Sequence, residues 1–308
     1  MLKEAEGGRR SMTHVVDGNA VAEDVRDGLS DAIGTLKSEG VEPGLATVLM
    51  SDDDASATYV SMKQRDCEEV GIEGIHVEID PDAPAEELYE TIDDLNADPD
   101  VHGILVQLPV PDHVDDREVL RRIDPAKDVD GFHPENVGRL VAGNARFKPC
   151  TPHGVQKLLA SADVETDGQD VVVVGRSDIV GKPLANLFVQ RGEGGNATVT
   201  VCHSHTEDLE AHTSRADVVV AAAGVPEFID GSMLKEGATV VDVGTNRVDA
   251  DTEKGYRLTG DVDFESAKEV ADVITPSPGG VGPMTRAMLL YNTVKAASDL
   301  ADVNVELP

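Results

Sequence analysis

VVVGRSDIVGKPLA (Val172–Ala185) reads in three parts: the end of an apolar strand, a turn built on Gly175, and the opening of a helix. An apolar run such as DVVVV (170–174) suits a strand buried on both faces of a parallel sheet. The turn points backbone N–H groups and the positive end of a helix dipole at one spot, where the phosphates of a dinucleotide can sit. Two glycines would serve any tight strand-to-helix turn equally well. Further strands at 197–202, 217–222, 238–243 and 272–275 put this turn inside a strand–turn–helix–strand unit, which favours the nucleotide reading.

Outward from that unit, toward the N-terminus, helix and strand continue to alternate. Val21, Val25, Leu29, Ile33 and Leu36 recur at helical spacing over 20–39. A buried strand at 45–50 leads to a helix over 56–70, with Ser56 as its N-cap candidate. A strand at 75–79, a helix at 84–96 and a strand at 103–108 follow, and a last helix at 284–301 comes after TPSPGGVGP (275–283). Regular alternation predicts an α/β fold with a mostly parallel sheet. A chain of 308 residues is long enough for two cores.

The composition sets 59 acidic against 26 basic residues, a net charge of −33, with 40% apolar residues. That apolar share belongs to a folding chain, so the surplus charge must lie on its surface. It is spread in short runs, such as Asp52–Asp54, Glu86–Glu87 and Asp249–Asp251, and not gathered in a tail. Molar salt shrinks the screening length to about 3 Å and removes most of the self-repulsion. A salt-rich cytoplasm is the expected setting. The chain has no basic stripe for a nucleic acid and no run of about 20 apolar residues for a membrane span. Cys67, Cys150 and Cys202 are far apart and read as reduced thiols. Residues 1–12 are read as an extension ahead of the fold.

NAD-binding folds usually end their second strand with a carboxylate for the ribose 2′-hydroxyl. Here ATVTV (197–201) runs into Cys202, His203, Ser204 and His205, with no acid before Glu207. Arg176 and Arg191 flank the site in a chain poor in bases, so NADP is expected. Cys202 and the two histidines do not suggest a metal, because neighbours on a strand point to opposite faces.

In YVSMK (59–63), the i, i+4 spacing puts the Tyr59 phenol and the Lys63 amine on one helix face. Lys63 is either a surface lysine or a buried amine with a lowered pKa, suited to proton exchange. Gln107, ending an apolar strand before Pro109 and Pro111, is either a strand-end hydrogen bonder or a substrate-polarising group. Asp128 and Asp130 in KDVDGFHP (127–134) read as loop acids. PGGVGPMT (278–285) makes a rigid loop whose backbone can approach a flat ligand.

Together with GILVQLPVP (103–111), DPAKDVDGFHPENVGRL (124–140), PCTPHG (149–154), DVGTNR (242–247), GDVDF (260–264) and ITPSPGGVGPMTRAMLL (274–290), these segments resemble the bifunctional methylenetetrahydrofolate dehydrogenase/methenyltetrahydrofolate cyclohydrolase family. The resemblance runs from about Val16 to Asp299. It implies a two-domain α/β fold: a catalytic, folate-binding domain over 13–148 and 285–308, with a Rossmann-type NADP-binding domain inserted over 149–284. The C-terminal helix returns to the first domain, the folate lies in the cleft between them, and the protein is a homodimer. The implied activity is NADP-linked oxidation of 5,10-methylenetetrahydrofolate and hydrolysis of the methenyl product to 10-formyltetrahydrofolate. A monofunctional NAD-linked dehydrogenase is the alternative.

Carried over by motif, Lys63 resembles the cyclohydrolase acid/base with Tyr59 beside it, Gln107 the group that orients Lys63 and substrate, and Asp130 the pterin anchor. Val106, Leu108, Asp128 and the loop Pro278, Gly279, Gly280, Val281 and Gly282 fall where the family holds folate. Gly175, Arg176, Ser177, Ser204 and Thr245 fall where it contacts the cofactor. Departures are Ser277, where an apolar residue is usual, Thr245, where an aliphatic is common, and a longer RGEGGN segment (191–196), expected near the 2′-phosphate.

Overall fold

The computed structural model describes residues 12–252 and 255–308, so the expected N-terminal extension lies, apart from Met12, outside the described residues. β1 (His14–Val15) leads into α1 (Gly18–Ser38). β2 (Gly44–Leu49), α2 (Asp54–Val70), β3 (Glu73–Glu78), α3 (Ala85–Ala97) and β4 (Gly103–Val106) then alternate. Three helices, α4 (Asp116–Arg122), α5 (Pro134–Val141) and α6 (Cys150–Ser161), connect to β5 (Asp170–Val174). Next come α7 (Gly181–Val189), β6 (Thr198–Cys202), α8 (Glu210–Thr213), β7 (Val218–Ala221) and β8 (Thr239–Asp242). The hairpin strands β9 (Asn246–Asp249) and β10 (Tyr256–Thr259), then α9 (Phe264–Lys268), β11 (Val273–Ile274) and α10 (Val281–Ala301), complete the order.

Two parallel sheets result, ordered β3-β2-β4 and β1-β11-β8-β7-β5-β6, beside the antiparallel β9–β10 hairpin. β2 and the Val171–Val174 stretch of β5 are buried on both faces, which is why they read as unbroken apolar runs. In the larger sheet the chain winds away from β5 in both directions, to β6 on one side and to β7 on the other. Ligands bind beyond the carboxyl ends of the strands at such a switch point. Gly175, at the end of β5, stands there.

α10 packs against α6 and α1 and reaches β4 and β2, so it is buried around most of its circumference. β1 joins the larger sheet beside β11, while α1, directly after it, packs on α10.

Two helix starts differ from expectation. Asp53, not Ser56, caps α2: the Ser56 N–H and hydroxyl both donate to its Oδ2, at 2.9 and 3.0 Å. A carboxylate there meets unpaired amides and the positive dipole end, so this part of the acidic run is structural. α10 opens at Val281, ahead of the expected 284, with Pro283 inside its first turn. A proline costs no hydrogen bond there.

Candidate active site

α2 buries Val60 and Cys67 and leaves Lys63 half-buried on the side facing the end of β4. Lys63 Nζ donates to Gln107 Oε1 at 2.9 Å. The Gln107 N–H continues the ladder to Val48 O at 2.9 Å, and its Nε2 donates to Leu108 O at 2.8 Å. The amide is thereby turned so that its oxygen meets the amine. Burial pushes the Lys63 pKa down, and the nearby Asp130 carboxylate pulls it back up. Burial raises Asp130 in turn, with Lys63 opposing. Tyr59 lies one turn before Lys63 with its side chain exposed at 45%.

The loop carrying Asp130 is anchored on both sides. Lys127 Nζ donates to Asn96 O and Asp98 O at 2.9 and 2.7 Å, closing the carboxyl end of α3. Asp128 is buried, and accepts from the N–H groups of Phe132 (3.2 Å) and His133 (2.8 Å) and from Asn136 Nδ2 (2.8 Å). Its carboxylate is committed to the loop, which argues against the substrate contact expected of it. Burial pushes its pKa up to about 7. Val106 and Val281 likewise turn their side chains into the core, so a ligand would meet only their backbone. Gly280 is buried, and a Cβ there would stand 2.5 Å from Pro276 O; Pro278 and Gly282 are exposed.

Three participants were not singled out from the sequence. Cys150, opening α6, has its thiol beside Asp130, and burial holds it well above the ordinary range, so it stays neutral. Asn292 in α10 donates to Val129 O at 2.7 Å and Lys148 O at 3.0 Å, fixing the backbone next to Asp130. An asparagine amid the apolar run of α10 was the available signal. Arg286 clasps Asp66 through Nη1 at 2.9 and 2.7 Å, tying α2 to α10 one turn from Lys63.

At the carboxyl end of β5, Gly175 has φ 142°, and a Cβ would stand 2.1 Å from Ala222 O. Glycine is therefore required, and the turn closes tightly on β7. Ser177 Oγ accepts from the N–H groups of Val180 (3.1 Å) and Gly181 (3.3 Å), at the amino end of α7, and Arg176 is exposed in the same turn. Ser204 and Thr245, also exposed, follow β6 and β8 at the same end of the sheet. A phosphate-bearing dinucleotide fits this turn, which offers backbone amides, a hydroxyl and a guanidinium.

Arg191 does not belong to this group. It follows the nine-residue α7 at its far end, about 14 Å along the axis from the phosphate turn. The RGEGGN segment lies there too, at the amino ends of the strands, where Gln156 Nε2 donates to Gly194 O at 2.7 Å. Its residues 192–196 line a cavity of about 740 Å³ with α6 residues, away from the 2′-phosphate position.

Among the described residues no cluster of three His, Cys, Asp or Glu side chains is placed to hold a metal, and no helix is long and apolar enough to cross a membrane. Family models for the tetrahydrofolate dehydrogenase/cyclohydrolase catalytic domain and NAD(P)-binding domain match residues 16–130 and 149–301. The bifunctional protein FolD of the halophilic archaeon Natronomonas pharaonis is 71% identical over 96% of this chain and 100% of its own. FolD of Campylobacter jejuni superposes with a TM-score of 0.88 at 46% identity, covering 93% of this chain and 99% of its own. The Trypanosoma brucei enzyme, solved with NADP cofactor and inhibitor, gives 0.88 at 40% identity, covering 93% and 98%. Matched in both units and along nearly its whole length, the chain belongs to the tetrahydrofolate dehydrogenase/cyclohydrolase family.

Proposed function

We propose that Lys63, Gln107 and Asp130 form the centre of one folate site that serves both activities of the chain. The protein is an NADP-dependent 5,10-methylenetetrahydrofolate dehydrogenase and 5,10-methenyltetrahydrofolate cyclohydrolase. The observation that carries the site reading is the Lys63–Gln107 hydrogen bond at 2.9 Å beside a half-buried carboxylate.

NADP, when bound, accepts hydride from the methylene carbon of the substrate. The protein's part in that step is alignment: Asp130 holds the pterin ring, and the Pro278–Gly282 loop flanks it. Alignment of two bound reactants supplies much of such a barrier reduction. Arg176, Ser177, Ser204 and Thr245 hold the cofactor, with Arg176 on the 2′-phosphate.

Hydrolysis makes a different demand. Water adds to the methenyl carbon, a C–O bond forms, and a ring C–N bond breaks. Lys63 takes a proton from the attacking water and returns one to the departing ring nitrogen, and the remaining hydroxyl proton leaves to solvent as the formyl carbonyl forms, giving 10-formyltetrahydrofolate. Gln107 keeps the amine in place without giving it a counter-charge, and Tyr59 borders the pterin.

In this reading residues 13–148 and 285–308 form the catalytic domain and 149–284 the cofactor domain, with β1 and the first turn of α10 joining them. The working form is a homodimer in a salt-rich cytoplasm, with folate and NADP as its small-molecule partners. Methenyl-folate absorbance, followed with NADP and then with NAD in high potassium chloride, tests this reading. Rise and decay with NADP, and a much slower rise with NAD, are expected. Equal rates would overturn the cofactor assignment, and no oxidation would overturn the function.

A further inference from the structure

Gly244 is held from three sides. Its N–H donates to Asp242 Oδ1 at 3.0 Å, and a Cβ on it would lie 2.2 Å from Asp261 Oδ1. Its carbonyl accepts from Ser277 Oγ at 2.5 Å. The two carboxylates beneath it are themselves locked. Asp242 also accepts from the N–H groups of Asp261 (2.9 Å) and Val262 (3.1 Å). Asp261 accepts from Ala223 N (2.6 Å), Gly224 N (2.8 Å) and Asn246 Nδ2 (2.8 Å). Both are almost wholly buried. Three loops at the carboxyl ends of β7 and β8 and after β10 thus share one rigid base, and Gly244 is fixed to it.

Ser277 comes from elsewhere, between β11 and α10 in the segment that runs into the folate-flanking loop. Thr275 is tied to the same base, its Oγ1 accepting from Asp242 N at 2.9 Å. Beyond Thr275, the Ser277 hydroxyl is the bond that reaches across from the folate-flanking segment to the residue next to Thr245.

We infer that Ser277 is a positioning residue for hydride transfer: its hydrogen bond to Gly244 sets the folate-flanking loop in register with the loop that carries Thr245. The inference rests on the two-activity reading above. Hydride transfer depends on the relative placement of both ligands, and misplacement of about 1 Å can cost on the order of a hundredfold. Hydrolysis involves folate and Lys63 but no second ligand. The two activities of one protein therefore report separately on this bond.

The test uses the full chain with Ser277→Ala and Ser277→Thr. Dehydrogenase kcat is measured at saturating NADP, cyclohydrolase kcat from methenyl-folate supplied without cofactor, and NADP affinity by calorimetry. For Ser277→Ala the ratio of dehydrogenase to cyclohydrolase kcat should fall about tenfold or more. NADP affinity should stay within about twofold, because Asp242 and Asp261 still hold Gly244. Ser277→Thr, which keeps the hydroxyl, should recover most of the ratio. An unchanged ratio in Ser277→Ala, a parallel loss of both activities, or no recovery in Ser277→Thr overturns the inference. A wild-type chain lacking either activity would instead overturn the functional reading on which it rests.

Discussion

Lys63 Nζ meets Gln107 Oε1 at 2.9 Å, so the amine is paired with an acceptor that carries no charge, while Asp130 supplies the negative charge nearby. The pairing separates two tasks. Gln107 fixes where the amine points, and Asp130 tunes how readily it gives up its proton.

A pH profile reads that tuning. Burial lowers the Lys63 pKa and Asp130 raises it, so neutralising Asp130 removes the opposing influence. In Asp130→Asn the amine should lose its proton at lower pH than in the wild type. The inflection of cyclohydrolase kcat against pH, measured at saturating methenyl-folate, should move downward even though overall activity falls. An inflection that stays put or moves upward would show that Asp130 does not act on this amine.

On the proposed reading, cofactor choice turns on Arg176, which is exposed in the phosphate turn, while β6 ends at Cys202 without an acid. Arg176→Ala should raise the KM for NADP far more than that for NAD. Losing one charge-assisted contact costs about 1.5–3 kcal/mol, roughly ten- to a hundredfold. Arg191→Ala, at the far end of α7, should leave both values nearly unchanged. Equal effects of Arg176→Ala on the two cofactors would refute the assignment.

Salt should stabilise the fold. With a net charge of −33, self-repulsion weakens as the screening length shrinks from about 10 Å at tenth-molar salt to about 3 Å at molar salt. Tm measured across a potassium chloride series should rise over that range. A flat or falling Tm would contradict the halophilic reading.

The Arg286–Asp66 clasp should matter to stability, because its side chains are just 17% and 7% exposed. Arg286→Met leaves Asp66 buried without its cation, which costs about 3 kcal/mol. Urea unfolding should show the loss, and Arg286→Lys should recover part of it. A loss below about 0.5 kcal/mol, the scale of a surface pair, would rule the clasp out as a tie between α2 and α10.

Central strands such as β2 and β5 were legible because burial on both faces leaves an unbroken apolar run, whereas the short β1 and the half-exposed hairpin β9–β10 carry no such run and were missed. The helices α5 and α6 were not legible either, and proline explains why: they carry Pro134 and Pro152 in the first turn, and Pro283 likewise made α10 read as starting three residues late. Read locally these prolines mark turns, yet a first-turn proline loses no helical bond. The Lys63–Gln107 pairing was legible only through motif resemblance, because spacing along the chain does not reveal that α2 faces the end of β4. Arg191 misled for the same reason. It is near the phosphate turn in sequence, while a whole helix separates them in space. Asp128 looked equivalent to Asp130, until the amides of Phe132 and His133 claimed it.

Whether Lys63 moves the protons of hydrolysis is read from the two activities of Lys63→Met. This substitution keeps the bulk of the side chain and removes its proton, while Asp130 and the Pro278–Gly282 loop remain to align the folate. Cyclohydrolase kcat should fall by at least about a hundredfold, the lower end of a general acid–base contribution. Dehydrogenase activity should remain measurable, and methenyl-folate should accumulate. Hydrolysis at near wild-type rate in Lys63→Met would contradict the account, because another group would then be moving the protons.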